Sequence, residues 1–180
     1  MRHLLSVTAV VLGFALPAVA QEPNPLLQHH QLAVGTGVLG YFSGGAPGTG
    51  GTWDVRYAYT PIPFVSVEAG YVGAASEAAF AGSTVVTILE GDGRFNPLPG
   101  ARLSPYALVG VGWGAFSGTE THSDNGTVVV PFGVGADYAL NDRWGVGGRF
   151  TYRLTANDHI GDNQVSADNW QMVARLAAQF

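Results

Sequence analysis

Ten charged residues of this sequence stand at alternate positions within segments that are otherwise apolar or rich in glycine. Side chains at alternate positions of a β-strand point to the same face. Charges held away from bulk water must be paired to be tolerated, and this set balances five acids against five arginines. We therefore predict a buried ion-pair network. Its members are Asp54, Arg56, Glu68, Glu90, Asp92, Arg94, Asp137, Arg149, Arg153 and Arg175.

The stretch His122-Ser123-Asp124 contains the residue types of a nucleophilic hydrolase. Such catalysis needs a nucleophile, a base and an orienting carboxylate that converge in space. Three adjacent residues of one loop do not supply that convergence, and His29, His30 and His159 add no recognisable pattern. Without cysteine, thiolate metal sites and disulfides are excluded. We predict no catalytic centre, no metal site and no cofactor.

Further acidic residues lie in segments that we predict to be loops. Clustered carboxylates are ligands for hard divalent cations, so a cation or a basic partner is one interpretation. Their spacing matches no calcium-binding loop, and ordinary solvated loop charge is the alternative. Arg102 and Arg143 lie in other predicted turns. The acids concerned are Glu77, Glu120, Asp124, Asp158, Asp162 and Asp168.

The composition narrows the class of protein. Charged residues make up 12% of the 180 residues, which is about half of the ~25% found in soluble domains. The basic residues are eight arginines with no lysine, and the formal net charge is −5. No basic patch is available for phosphates, so we expect no nucleic-acid partner.

The N-terminus has the layout of a secretory signal peptide. Arg2 supplies positive charge, Leu4–Leu16 is almost entirely apolar, and Ala18-Val19-Ala20 forms a small-x-small cleavage site. The apolar run is shorter than the ~20 residues of a membrane anchor. We predict a cleaved signal peptide over residues 1–20 and one barrel domain over residues 21–180.

Eight segments of the remaining chain alternate between apolar and polar or glycine positions. In the last one, Trp170, Met172 and Leu176 share one face, whereas Gln171 and Arg175 lie on the other. About ten residues suffice for a tilted strand to cross a bilayer. A bulge within the fourth segment is an open alternative. The predicted strands are Gln31–Phe42, Trp53–Tyr59, Val65–Tyr71, Thr84–Phe95, Pro105–Gly114, Val128–Tyr138, Trp144–Leu154 and Trp170–Phe180.

Short and long connections alternate along the chain. Thr60–Pro63 and Ala139–Arg143 are tight turns, and Asn96–Ser104 is punctuated by proline and glycine. An even number of strands with turns at one rim and loops at the other is typical of bacterial membrane barrels. We predict an all-β, eight-stranded antiparallel up-and-down transmembrane β-barrel. Its predicted outer loops are Ser43–Gly51, Val72–Ser83, Ser117–Thr127 and Thr155–Asn169.

Two features favour a membrane barrel over a soluble one. Eight strands leave an interior only just wide enough for side chains, which suits glycine with a few paired charges. Aromatic residues fall near strand ends, where they would form two girdles at the membrane interfaces. Apolar rows packed at the centre would instead indicate a soluble fold. The predicted girdles are Trp53, Tyr71 and Trp170 at the outer rim and Tyr59, Tyr138, Trp144 and Phe180 at the inner rim.

Ser104–Trp113 resembles the fifth strand of the outer-membrane protein A and outer-membrane protein X barrel superfamily. Pro131–Trp144 is similar to its sixth strand, turn and seventh strand, and Phe180 matches its C-terminal aromatic residue. The resemblance implies a Gram-negative outer-membrane location, contact with the lipid bilayer and lipopolysaccharide, and recognition of Phe180 by the barrel-assembly machinery. We expect a monomer.

Three functions remain open at this point. The first is a structural or surface-exposed membrane component without a catalytic centre. The second is a narrow porin-like channel, for which the resemblance implies that Glu68, Asp137, Arg149 and Arg153 form a plug or gate. The third is surface adhesion, with Thr155–Asn169 as the longest predicted loop.

Overall fold

The computed structural model is a closed barrel of eight antiparallel strands, each paired with its neighbours in chain order. It describes residues 29–41, 49–78, 82–118, 125–156 and 168–180. Within these ranges there is no helix long and apolar enough to cross a membrane. The strands are β1 His30–Tyr41, β2 Gly50–Ile62, β3 Val65–Ala78, β4 Gly82–Phe95, β5 Leu103–Gly118, β6 Asn125–Ala139, β7 Trp144–Ala156 and β8 Asn169–Gln179.

The barrel closes through β1, which pairs with both β2 and β8. Closure leaves no sheet edge exposed, so every strand satisfies its backbone hydrogen bonds against two neighbours. We call the end with the turns β2–β3, β4–β5 and β6–β7 the inner rim, and the opposite end the outer rim. The predicted eight-stranded antiparallel architecture is confirmed.

The pairing is regular except near the end of β2, where the register with β3 shifts between Tyr59 and Ile62. Pro61 lies within this interval, and proline has no N–H to donate to the ladder. The bulge considered for the fourth strand is absent, because β4 pairs without a shift from Val65↔Phe95 to Ala78↔Gly82.

Strands extend further toward the outer rim than predicted. β3 continues to Ala78 and β4 begins at Gly82, so the predicted loop Val72–Ser83 was wrong over most of its length. Glu77 accordingly belongs to a strand instead of a loop. β5 and β7 are also longer at this end, reaching Gly118 and Ala156. The error has a physical cause: alanine, glycine and serine dominate this part of β3, so the apolar–polar contrast that marks a strand is lost.

The two faces of the wall differ as predicted. Large apolar side chains point outward, with Leu89, Val109 and Met172 exposed by 59%, 60% and 61%. The charged side chains point inward, and Arg56 and Arg149 are exposed by only 1% and 2%. An apolar surface of this extent would be costly in water, whereas hydrocarbon is its natural surrounding.

Candidate functional site

The lumen is filled by the side chains that all eight strands direct inward. The structure brings all ten predicted charges together there, and each of them takes part in at least one ion pair. Five guanidinium groups face five carboxylates, so the formal charge of the set cancels. Charged side chains tolerate burial when each is paired with an opposite charge, as they are here.

Arg56 is the hub of one half of this network. Its Nε donates to Asp54 at 2.7 Å, its Nη1 donates to Asp92 at 2.9 Å, and its Nη2 pairs with Glu90. Glu90 also accepts a hydrogen bond from Arg153 Nε at 2.8 Å. The guanidinium of Arg56 therefore uses all three nitrogens on carboxylates, which is the fixed fork geometry that arginine supplies.

Arg149 joins this half to the half near the inner rim. It donates to Asp92 through Nη2 and to Glu68 through Nη1, both at 2.5 Å. The other oxygen of Glu68 accepts from Arg94 at 2.7 Å. Arg94 also donates to Asp137 at 2.9 Å. The chain of pairs is thus continuous from β2 across the lumen to β6.

The inner end of the network contains a side chain that sequence reasoning missed. Tyr106 is 2% exposed and points into the lumen. The guanidinium carbon of Arg94 lies 3.8 Å from its ring centroid, which is a cation–π contact. Arg175 donates to Asp137 at 2.9 Å and lies 5.5 Å from the same ring. The alternation of β5 could have placed Tyr106 on the inner face. Ala107, Val109 and Val111 form one apolar row of this strand, and Tyr106 lies on the opposite face.

Glycine on neighbouring strands makes room for these long side chains. A Cβ atom added at Gly35 would collide with Asp54, and one added at Gly70 would lie 2.6 Å from Arg56 Nη1. The register pairs Gly35 with Asp54 and Gly70 with Arg56. The side chains of Asp54 and Arg56 thus occupy the space above a glycine of the next strand, so these glycines are part of the network.

A second, apolar layer fills the lumen closer to the outer rim. Its side chains are 0–5% exposed and form one cluster, against which Tyr41 packs. This layer was not predicted, because Val72 and Ala74 fall in a predicted loop and the other members lie on faces that were described as polar or rich in glycine. Its members are Leu39, Val72, Ala74, Val86, Ile88 and Val129.

A polar cavity of about 90 Å³ opens at the inner rim. Arg94 and Asp137 line it together with Gln31, Gln179 and the β4–β5 turn. The turn bends at Gly100, whose φ of 79° is a left-handed conformation that favours glycine. The network is therefore approached by solvent from this end.

The remaining candidate residues fall mostly beyond the described ranges. His122-Ser123-Asp124, Glu120, Asp158, His159 and Asp162 lie outside them. Asp168 is described, and it accepts hydrogen bonds from the backbone N–H and hydroxyl of Thr155 at 2.8 and 3.1 Å. In the part of the chain that the structure describes, no three His, Asp or Glu side chains converge as metal ligands would.

A family model described as "outer membrane protein beta-barrel domain" matches residues 6–176. The chain belongs to this family. Its place is therefore the outer membrane, and the surface around it is the lipid bilayer. No curated protein has a significantly similar sequence.

Solved structures of outer-membrane barrels share the fold at low sequence identity. Neisserial surface protein A has 13% identity and a TM-score of 0.69, over 84% of this chain and 97% of its own. The attachment invasion locus protein of Yersinia pestis has 14% identity and a TM-score of 0.56, over 84% and 99%. The outer membrane enzyme PagL has 14% identity and a TM-score of 0.50, over 83% and 99%. The three proteins are named for different roles, so the shared barrel fold does not indicate which role this chain has.

In this outer-membrane barrel the predicted girdle residues all lie on the outer face of the wall. Six of them are exposed by 38–62%, and Trp170 is half-buried. Trp113, which the girdle prediction omitted, is exposed by 54% near the outer rim. Three indole rings of this rim lie over glycines of a neighbouring strand. A Cβ atom added at any of these glycines would collide with the ring. These pairs are Trp53 with Gly73, Trp113 with Gly126 and Trp170 with Gly40.

Proposed function

We propose that this protein is a sealed outer-membrane barrel with a structural or surface-exposed role and without a catalytic centre. The observation that carries the proposal is the filling of the lumen by two successive layers. The charged layer is a continuous set of ion pairs, and the apolar layer beyond it is 0–5% exposed. The barrel wall supplies a rigid frame, and the predicted outer loops are the candidates for contact with other molecules.

Each layer opposes the passage of ions in its own way. An ion crossing the charged layer must separate pairs such as Arg56–Asp54, whose side chains are each 1% exposed. Separating a buried pair leaves uncompensated charge, which costs several kcal/mol. An ion crossing the apolar layer loses its hydration without compensation. The alternative of a narrow channel requires both layers to rearrange together.

Planar-bilayer recording of the refolded full chain tests the proposal. We expect no discrete conductance steps, and a mobility difference between boiled and unboiled samples in detergent gels should show that the barrel is folded. Reproducible single-channel steps from folded protein would contradict a sealed barrel and favour the channel. Unchanged lipid A by mass spectrometry after overexpression is the expected result for a protein without catalysis.

We also propose the processing and partners that the sequence suggests. Cleavage after Ala20 would leave a mature chain beginning at Gln21, which intact-mass measurement on protein from the membrane fraction detects. Phe180 would be the residue read by the barrel-assembly machinery, and lipopolysaccharide would contact the Trp113 rim. The barrel would act as a monomer, and sedimentation in detergent measures this oligomeric state.

A further inference from the structure

A cluster of aromatic and imidazole rings lies on the outer face where β8, β1 and β2 meet at the inner rim. The ring of His30 is 5.8 Å from that of Phe180, with 15° between their planes, and 5.3 Å from that of Tyr59. The Tyr57 ring lies 6.0 Å from the same imidazole. The Tyr57 and Tyr59 side chains are exposed by 42% and 44%. The proposed seal does not involve this cluster.

One hydrogen bond defines the chemistry of the His30 imidazole. Its Nδ1 lies 2.6 Å from the Tyr57 hydroxyl. A phenol on a lipid-facing surface needs an acceptor for its proton, and Nδ1 of His30 lies within hydrogen-bond distance of the Tyr57 hydroxyl. The tautomer that accepts at Nδ1 carries its own proton on Nε2. The stacked rings hold this Nε2–H donor at the level of the inner rim.

An apolar groove of about 460 Å³ starts one step further toward the membrane centre. Ala69 forms part of its lining, together with Tyr57, its partner on β2, and Tyr71, the next outward-facing residue of β3. Leu32, the next outward residue of β1 after His30, also lines the groove. The donor cluster and the groove thus share Tyr57 and follow each other along the membrane normal.

We propose that this surface binds one phospholipid of the inner leaflet. The phosphate oxygens would accept from His30 Nε2 and the Tyr59 hydroxyl, and one acyl chain would lie in the groove over Ala69. A phospholipid headgroup offers acceptor oxygens at the depth of the rim and hydrocarbon immediately above it, which matches the order of the two features. The backbone N–H of Gln179 donates to the carbonyl of Arg143 at 2.8 Å, so the turn that carries this exposed arginine lies beside the strand end that carries Phe180.

Native mass spectrometry of the refolded full chain tests the site with two probes. One is phosphatidylglycerol, and the other is a diacylglycerol with the same chains, which lacks the phosphate. We expect one retained phosphatidylglycerol and a preference for it over the diacylglycerol of about tenfold, the value of a hydrogen bond to a charged group. Equal retention of both probes would overturn the role of the headgroup.

Variants separate the two parts of the site. His30→Phe keeps a stacked ring but removes the donor, and it should abolish the preference for the phosphate-bearing probe. Ala69→Leu fills the groove, and it should lower retention of both probes. Trp144→Phe, on the same rim in β7, is the matched control and should change neither. Retention and preference equal to the unsubstituted protein in His30→Phe would overturn the proposal, provided that gel mobility shows the variant folded.

Discussion

Val55 and Arg56 are consecutive residues of β2, yet one is 39% exposed to lipid and the other 1% exposed inside the barrel. Val55 belongs to a face on which the environment is uniform hydrocarbon, so any apolar side chain satisfies it. Arg56 belongs to a face on which each position depends on particular partners, here Asp54, Glu90 and Asp92. The outer wall tolerates substitution within a class, whereas the inner wall requires matched sets.

The same contrast extends to glycine. Gly110 faces the lumen, and a Cβ there would meet Asp92 and the backbone of β4. Gly91 faces lipid, and the nearest atom to an added Cβ is the Glu68 carbonyl oxygen at 3.9 Å. The space around Gly110 is therefore filled and the space around Gly91 is open, although both glycines occupy regular strand positions.

The largest effect should come from breaking a matched set of the inner wall. Arg56→Leu leaves the carboxylates of Asp54, Glu90 and Asp92 short of a buried partner, which we expect to cost about 3–5 kcal/mol of unfolding free energy. Denaturant titration in detergent micelles, followed by tryptophan fluorescence, measures the change. Arg102→Leu, in the exposed β4–β5 turn, is the control and should stay within about 0.5 kcal/mol. Comparable losses in the two variants would remove the distinction between the lumen and the surface.

The complementary experiment adds a charge to the outer wall, whereas the inner-wall variant removes one. Leu176 is 44% exposed and lies between Val34 and Val146 on the lipid face. Leu176→Arg places a guanidinium in hydrocarbon and should cost about 2–4 kcal/mol. Leu140→Arg, in the exposed β6–β7 turn, provides the matched addition of charge at the rim, where about 0–1 kcal/mol is expected. Unfolding in lipid vesicles is the measurement, and a near-neutral Leu176→Arg would contradict the facing of β8.

The difference between the walls also explains what the sequence could predict. Facing was predictable where the two sides contrast strongly, as in β8, because alternation of apolar and polar residues needs no knowledge of the partners. The stretch Val72–Ala75 lacks this contrast, and the continuation of β3 through it was missed. The membership of the ion-pair set followed from alternation and charge balance alone.

The partners within the set could not be predicted. Arg149 donates to Glu68, which is 81 positions away in the chain. Which charges meet depends on the stagger of all eight strands around the closed barrel, and no local pattern encodes it. The apolar layer was missed for a related reason: Ile88 and Val129 become neighbours only when the barrel closes.

A smaller effect should follow from adding one methyl group to each wall. Gly110→Ala inserts a Cβ against the Asp92 carboxylate, which accepts from Arg56 and Arg149. Overpacking of this kind costs about 1–3 kcal/mol. Gly91→Ala meets only ordinary contacts and removes a flexible residue from a strand, so it should be neutral or stabilise by about 0.5–1 kcal/mol. Changes in unfolding free energy of opposite sign for the two variants would support the difference between the inner and outer walls. Changes of the same sign would indicate that glycine acts through strand propensity alone.

The smallest effect concerns the layer that departs from the rule, because it is inside the barrel and yet apolar. Ile88 is 0% exposed in this layer, and its neighbour Leu89 is 59% exposed to lipid. Ile88→Val removes a methylene that no other group replaces and should cost about 0.5–1.5 kcal/mol. Leu89→Val should cost less, because lipid chains fill the space that the side chain vacates. Unfolding in vesicles measures both variants. An equal loss of unfolding free energy at the two positions would mean that the outer part of the lumen is packed no more tightly than the surrounding lipid. The seal would then depend on the ion pairs alone.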